Sequence, residues 1–257
     1  MSETIIVIPC YDEAGRLPAD VFSDYVRKCN DVDFVFVNDG SGDATLDVLR
    51  ELESSAPDRF LVLDQQPNRG KAEAVRIGMN EAFERGARYA GYFDADLSTP
   101  LDEIARLVAV LDSDRLIEMV FGARVQLLGR RIERHSWRHY LGRIFATAAS
   151  ETLDLPIYDT QCGAKLFRVT PTLHQLFAEP FLAGWFFDVE IVARRIALAR
   201  SRDLPPAAEV IYELPLMQWI DVPGSKLRPS DFARAFVEIL RVHRRYLARS
   251  APPFGTG

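Results

Sequence analysis

Residues 89–100 read YAGYFDADLSTP. Tyr89, Tyr92 and Phe93 suit a buried β-strand, which then ends on two carboxylates, Asp94 and Asp96, with one alanine between them. At a strand end, residues i and i+2 face the same side. Both carboxylates can therefore reach one hard divalent cation, Mg²⁺ or Mn²⁺, helped by substrate phosphate oxygens. The competing reading is a turn leading into a helix, with Ser98 or Thr99 as N-cap and Pro100, Asp102 and Glu103 in the first turn. That reading accounts for the serine and threonine but leaves the aspartate pair unexplained.

Further short runs rich in β-branched and aromatic residues lie at 4–8, 34–37, 60–63 and 117–121. Amphipathic stretches separate them; within 70–86, Ala74, Val75, Gly78, Met79, Ala82 and Phe83 fall on one helical face. Strands alternating with helices, each strand almost continuously apolar, predict an α/β fold whose mostly parallel central sheet is flanked by helices. Ligands of such sheets gather at the carboxyl ends of the strands. Here those ends read PCYDE, NDGSGD, DQQPNRGK and DADLSTP, all polar and turn-forming. The second half is less regular. A helix is expected over about 134–152, another over 187–199, a strand near 208–214 and a last helix from Ser230 as N-cap, followed by a frayed tail.

Within these loops several side chains ask for a chemical role. Asp39 ends the second strand before Gly40 and Gly42, where an acid can hold a base or ribose hydroxyl; Asp43 or Ser41 can cap the next helix, leaving Asp39 spare. Lys71 opens a helix, where a cation opposes the dipole, so it either serves an anion or a nearby carboxylate or is a solvated surface lysine. Between Arg124 and Arg143 lie six arginines, two histidines and one acid. Guanidinium forks suit phosphate, although most such residues on a helix are simply solvated. Asp188 and Glu190 lie among Trp185, Phe186 and Phe187, an apolar setting that would raise a carboxyl pKa and suit a general base, or else mark acids at a helix N-terminus whose aromatic neighbours pack in the core. The turn DVPGSKL presents Ser225 and Lys226, a loop suited to bringing a cation to a diphosphate.

The chain has 257 residues and a net charge of −6, enough for one sizeable core and against wholesale nucleic-acid binding. Three cysteines (Cys10, Cys29, Cys162) without metal-like spacing suit a reducing, cytoplasmic setting. No stretch approaches the ~18 apolar residues of a membrane span, so membrane contact is expected to be peripheral. The final helix sets Phe232, Phe236, Ile239, Leu240, His243 and Leu247 near one face among several arginines. That face either packs on the core or lies on an anionic membrane.

Taken in order, these stretches resemble the family 2 glycosyltransferases of the GT-A fold, and within them the dolichyl-phosphate and polyprenyl-phosphate glucosyl- and mannosyltransferases. IPCYDEAGRL resembles the family's opening P-x-Y-N-E block, with Asp12 in place of asparagine. VNDGSGDAT resembles its D-D-G-S-x-D-x-T block and NRGKAEAVRIGM its N-x-G-K helix. DADLSTP is similar to the metal motif, and DTQCGAKLF, GWFFDVEI and VPGSKL to later blocks of the glucosyl branch.

The resemblance covers about residues 4–245. It implies a single GT-A domain over 1–249, with a nucleotide-sugar half (1–123), an acceptor half ending in the C-terminal amphipathic helix (124–249), and a disordered tail (250–257). Pro9, Tyr11, Glu13 and Asp39 would hold the nucleotide, with Lys71 near base or phosphates. Asp94 and Asp96 would meet the donor diphosphate through Mg²⁺ or Mn²⁺. Arg124, Arg131 and Lys226 would lie near the donor diphosphate or acceptor phosphate. Asp159, Gln161 and Asp188 would line the acceptor side, with Asp188 and Asp159 as the catalytic candidates.

The implied reaction is inverting hexosyl transfer from a nucleotide sugar, UDP-glucose or GDP-mannose, to a phosphate-bearing acceptor such as polyprenyl phosphate, with a soluble hydroxyl acceptor left open. Two rivals remain: a haloacid-dehalogenase-like phosphatase, which wants threonine or valine where DADLS has serine, and a non-catalytic nucleotide-sugar or membrane-surface binding protein.

Overall fold

The structure, a computed structural model, describes residues 2–133, 136–222, 229–248 and 254, with the backbone alone for 136–144 and 229–235. Its first half alternates β1 (Thr4–Cys10), α1 (Ala19–Lys28), β2 (Val32–Asp39), α2 (Thr45–Ser55), β3 (Phe60–Gln65), α3 (Lys71–Glu84), β4 (Tyr89–Tyr92), α4 (Glu103–Ser113) and β5 (Met119–Ala123). The second half adds β6 (Arg131–Glu133), α5 (Ser136–Leu153), β7 (Lys165–Arg168), α6 (Pro171–Ala178), α7 (Phe187–Arg202), the short α8 (Ala207–Val210), β8 (Ile211–Pro215), β9 (Gln218–Ile220) and α9 (Pro229–Val242). A π-helical turn, His243–Leu247, continues α9.

Seven strands form one sheet in the order β3-β2-β1-β4-β7-β5-β8. Pairings among β1 to β4 and between β5 and β8 are parallel; β7 alone runs antiparallel, between β4 and β5. The strands read as continuous apolar runs because both faces are covered: all eight residues of β2 are buried. On one face Val7, Val35 and Val37 meet Val75 and Met79 of α3 and Val189 and Val192 of α7. On the other, Ile6, Phe34 and Phe36 meet Phe22 of α1, Leu49 of α2 and Leu107 of α4. Each fully buried phenylalanine contributes about 1.5–3 kcal/mol of transfer free energy. The α3 contact is closest at Gly78, where a methyl group would stand 2.4 Å from Val7 Cγ1.

Three sequence expectations change here. The antiparallel β7 lies inside DTQCGAKLF, where periodicity gave only a broken helix: four residues headed by a lysine carry too short a pattern to read as a strand. The helix expected from a Ser230 cap begins at Pro229, a residue whose fixed φ suits the first helical position. The tail was expected to fray, yet Phe254 is buried, its ring 5.4 Å edge-on to Tyr246. The apolar stripe of α9 is divided: Ile239, Val242, Tyr246 and Leu247 are buried, whereas Phe236 and Leu240 are exposed.

Candidate active site

The carboxyl ends of β1, β2, β3 and β4 all open on one rim of the sheet, and β7 brings the segment 159–163 to the same place from the opposite direction. At the end of β4 the chain turns sharply, with Leu97 N–H bonded to the Asp94 carbonyl (3.1 Å) and Leu97 held at φ 49°. A left-handed leucine costs on the order of 1–3 kcal/mol, the kind of strain that collects at functional loops. Lys71 Nζ lies 2.5 Å from Asp94 Oδ1. Burial opposes charge on both. Attraction to Asp94, then Asp188 and Asp96, holds the Lys71 ammonium above its ordinary value, and Lys71, Lys165 and Arg124 hold Asp94 below the usual carboxylate range. This is the partner the helix-opening lysine required. Gly163 presses on the other side: a methyl group there would stand 1.9 Å from Asp94 Oδ2.

Asp96 is gripped differently. Ser98 donates to its Oδ1 from both backbone N–H (3.0 Å) and hydroxyl (2.8 Å), and Arg16 Nη2 donates to Oδ2 at 3.0 Å. Ser98 was a candidate N-cap of α4. It instead fixes Asp96, and α4 starts at Glu103 without a side-chain cap.

The nucleotide candidates sit at the neighbouring strand ends. Asp39 accepts the backbone N–H groups of Arg69 and Gly70 (both 2.8 Å) and the Gln65 amide (2.5 Å), and is almost fully buried. Asp39 is therefore not spare: it folds the turn after the neighbouring strand β3, the turn that delivers Lys71. Asp43 Oδ1 accepts the Thr45 N–H at the start of α2 (3.0 Å), and Ser41 instead accepts the Asp12 N–H (3.0 Å). Asp12 adopts φ 48° and accepts the Gly42 N–H (2.8 Å). Asparagine and aspartate both tolerate that conformation and both offer the acceptor, which explains why the exchange at this position keeps the loop. Glu13 N–H donates to Thr45 Oγ1 (2.8 Å), so the loops after β1 and β2 are joined. Pro9 is half-buried and Tyr11 exposed on this rim.

The acceptor candidates form two ion pairs. Arg124 holds Asp159 in a two-pronged contact, Nε to Oδ2 and Nη2 to Oδ1, both 2.7 Å, and its guanidinium lies 5.3 Å from the Trp219 ring. Glu213 accepts the backbone N–H groups of Tyr158 and Asp159 (2.8 Å each), which fixes that loop. Gln161 has a buried side-chain nitrogen with no hydrogen-bond partner, a donor aimed at no protein oxygen. Asp188 is buried, as its aromatic surroundings suggested. It is not an isolated acid, however: Lys165 Nζ lies 2.6 Å from Oδ1, and Tyr92 donates its hydroxyl to the same oxygen.

Arg131 is exposed on β6 and bonded to Glu133 (2.6 Å). Its ribbon does reach the site, since Ile220 of β9 donates to the Ser98 carbonyl (3.0 Å). Lys226 and most of its loop lie outside the described residues. Arg16, Gly163, Lys165 and Tyr92 were missed by the sequence reading. Only Lys165 carried a signal, a lone lysine within an apolar run.

Among the described residues no group of three or more His, Cys, Asp or Glu side chains converges on one point. Two strand-end carboxylates nevertheless fit Mg²⁺ or Mn²⁺, ions that take one or two protein oxygens and complete their shell with substrate phosphates and water.

The family model described as glycosyl transferase family 2 matches residues 5–173. The chain is 30% identical over 248 residues to the dolichyl-phosphate beta-glucosyltransferase of Drosophila melanogaster, covering 88% of this chain and 70% of that protein. It is likewise 30% identical over 241 residues to the Saccharomyces cerevisiae dolichyl-phosphate beta-glucosyltransferase, covering 86% and 68%. Among solved structures it resembles the mannosyltransferase of Pyrobaculum calidifontis in complex with GDP-Man and Mn²⁺ (TM-score 0.61, 18% identity), covering 98% of this chain and 66%, just under two thirds, of that one. It also resembles the glucosyl-3-phosphoglycerate synthase of Mycobacterium tuberculosis in complex with Mn²⁺, UDP-glucose and phosphoglyceric acid (TM-score 0.64, 16% identity, 93% and 79% covered). At these identities the two structures establish the GT-A-like fold alone.

Proposed function

The chain belongs to glycosyl transferase family 2, and from that premise we propose that it transfers glucose from UDP-glucose to a polyprenyl phosphate with inversion at the anomeric carbon. The observation that carries the reading is the charge arrangement at the end of β4. Asp94 and Asp96 stand on the sheet rim with Lys71 and Arg16 beside them, and two further ion pairs, Arg124–Asp159 and Lys165–Asp188, stand close by. A departing nucleoside diphosphate develops negative charge, and preorganised cations at that spot lower the barrier.

Asp94 and Asp96 would hold Mg²⁺ or Mn²⁺, which when bound supplies Lewis-acid stabilisation of the leaving diphosphate. The chain's own groups do the rest. Pro9, Tyr11, Glu13 and the Asp39-anchored turn shape the nucleotide cleft, and Lys71 faces the phosphates. A phosphate-monoester acceptor, with a second pKa of about 6, is already largely ionised at neutral pH and needs no strong base. Asp188 fits that case, because the carboxylate shared by Lys165 and Tyr92 is fixed in place to orient the acceptor. Arg124 and the Gln161 donor would meet acceptor oxygens, and Arg131 and Lys226 would supply further phosphate contacts.

The exposed Phe236, Val237 and Leu240 of α9, with Arg241 and Arg244 exposed beside them, support peripheral contact with an anionic membrane. No described helix is long and apolar enough to cross one.

The test is a panel of nucleotide sugars with Mn²⁺ or Mg²⁺, with and without polyprenyl phosphate, scored for released diphosphate and for glycolipid. UDP-glucose should give both products only with acceptor and metal together. Glycolipid from GDP-mannose alone, or inorganic phosphate release without sugar transfer, would reject the reading. Asp188→Asn should retain turnover within about tenfold, since a bound phosphate needs orientation rather than deprotonation. Collapse of turnover with donor binding intact would point to a hydroxyl acceptor.

A further inference from the structure

Arg16 stands on the loop after β1 and reaches across the rim to the second aspartate of the β4 loop. Its Nη2 donates to Asp96 Oδ2 at 3.0 Å, and its Nε lies 3.5 Å from Glu13 Oε2. Both members of the Arg16–Asp96 pair are largely shielded, with side-chain exposures of 23% and 20%. Because Ser98 already occupies Oδ1 twice, Asp96 meets protein donors on both oxygens. The loop that carries Arg16 is itself fixed: Arg16 and Leu17 N–H both bond to the Glu13 carbonyl (2.9 and 2.8 Å), and Leu17 is buried. The guanidinium therefore swings from an anchored backbone.

Two physical facts follow. A guanidinium cannot shed its proton to make room for another cation, as a lysine can. A divalent ion approaching Asp96 Oδ2 alone meets a fixed positive charge on the oxygen it needs. A diphosphate arriving with the ion reverses that balance, because the guanidinium fork pairs with phosphate oxygens at least as well as with a carboxylate.

We propose that Arg16 couples metal binding to nucleotide binding: it occupies Asp96 while no diphosphate is present and passes to the diphosphate when the metal takes Asp96. The proposal rests on the reading of Asp94 and Asp96 as the metal–diphosphate site. By reciprocity the metal must tighten UDP by the same factor that UDP tightens the metal.

The experiment is a Mn²⁺ titration of the full chain followed by electron paramagnetic resonance, with and without UDP. In the unaltered protein UDP should tighten Mn²⁺ by about tenfold or more, the weight of one charge-assisted hydrogen bond. In Arg16→Gln, Mn²⁺ alone should bind about tenfold tighter, and the UDP effect should shrink by about the same factor, leaving the part due to phosphate oxygens on the ion itself. Unchanged or weaker Mn²⁺ binding by Arg16→Gln, with the UDP effect intact, overturns the proposal. Failure of the underlying site looks different: the unaltered protein with UDP would bind no Mn²⁺, or Asp96→Asn would bind it as well. A second measurement needs no variant. The Arg16 side-chain N–H resonance of the unaltered protein should shift on adding Mg²⁺ with UDP, and a resonance that stays in place contradicts the exchange.

Discussion

A methyl group added at Gly163 would stand 1.9 Å from Asp94 Oδ2 and 2.3 Å from its Cγ, so this position acts on the site without bearing any functional group. The obstructed atoms are the end of a side chain, so Gly163→Ala should leave thermal stability nearly unchanged while moving Asp94 off Lys71. Displacement of about 1 Å in such a constellation costs roughly a hundredfold in turnover. Turnover kinetics beside a melting curve check this; equal loss of both would assign Gly163 a merely structural role. Its neighbour Cys162 is fully buried, and burial pushes its thiol up from an ordinary 9.0 to about 11. A folded-state pKa above the unfolded value means stability that is fully present below pH 9 and lost as pH rises towards 11. The loss is on the order of 2–3 kcal/mol. Melting temperatures of the unaltered protein should fall more steeply across that window than those of Cys162→Ala; parallel curves would contradict it. Asp94, Asp96 and Lys71 were legible in the sequence because two closely spaced anions at a strand end and a cation opposing the dipole at a helix start each need a partner. The structural tie of Asp39 to the Arg69 and Gly70 N–H groups was not legible, since it spans loops thirty residues apart and leaves no local pattern.

The elements of the first half were readable because each obeys one period throughout. Helix α3 shows what that pattern buries: Gly78 faces Val7 and Val37 so closely that a methyl group would meet Val7 Cγ1 at 2.4 Å and Val37 Cγ2 at 3.0 Å. Two effects then compete in Gly78→Ala. Alanine improves helix propensity by about 1 kcal/mol, whereas overpacking stiff β-branched neighbours costs about 1–3 kcal/mol. Overpacking should prevail, lowering the melting temperature by a few degrees, and a higher melting temperature would show that α3 can shift outward at little cost. Such a shift would also move Lys71, which starts the same helix. The second half resisted reading for a reason equally local. Strands β6, β7 and β9 have three or four residues each, and their pairings are set by partners distant in sequence. A period-2 pattern needs more residues than that to stand out.

At the scale of the whole molecule, one sheet joins both halves of the chain, because β7 and β8 from the second half pair with β4 and β5 from the first. That continuity sets the ion pairs Arg124–Asp159 and Lys165–Asp188 beside the Asp94 loop, although more than thirty residues separate Asp159 from Arg124. The fold class was visible in the alternation of elements. The convergence was implied only by the family resemblance and not by any local pattern, since it depends on a single antiparallel strand reversing the direction of segment 159–163. What the assembled rim is built to do is move a sugar off a diphosphate, and the product's stereochemistry reports this most directly. With UDP-α-glucose, polyprenyl phosphate and Mn²⁺, nuclear magnetic resonance of the isolated glycolipid should show a β-glucosyl phosphate, formed by direct attack from the face opposite the leaving group and absent when the metal is chelated. An α-linked product, or the same β product in undiminished yield from Asp94→Ala and Asp96→Ala, would contradict the account.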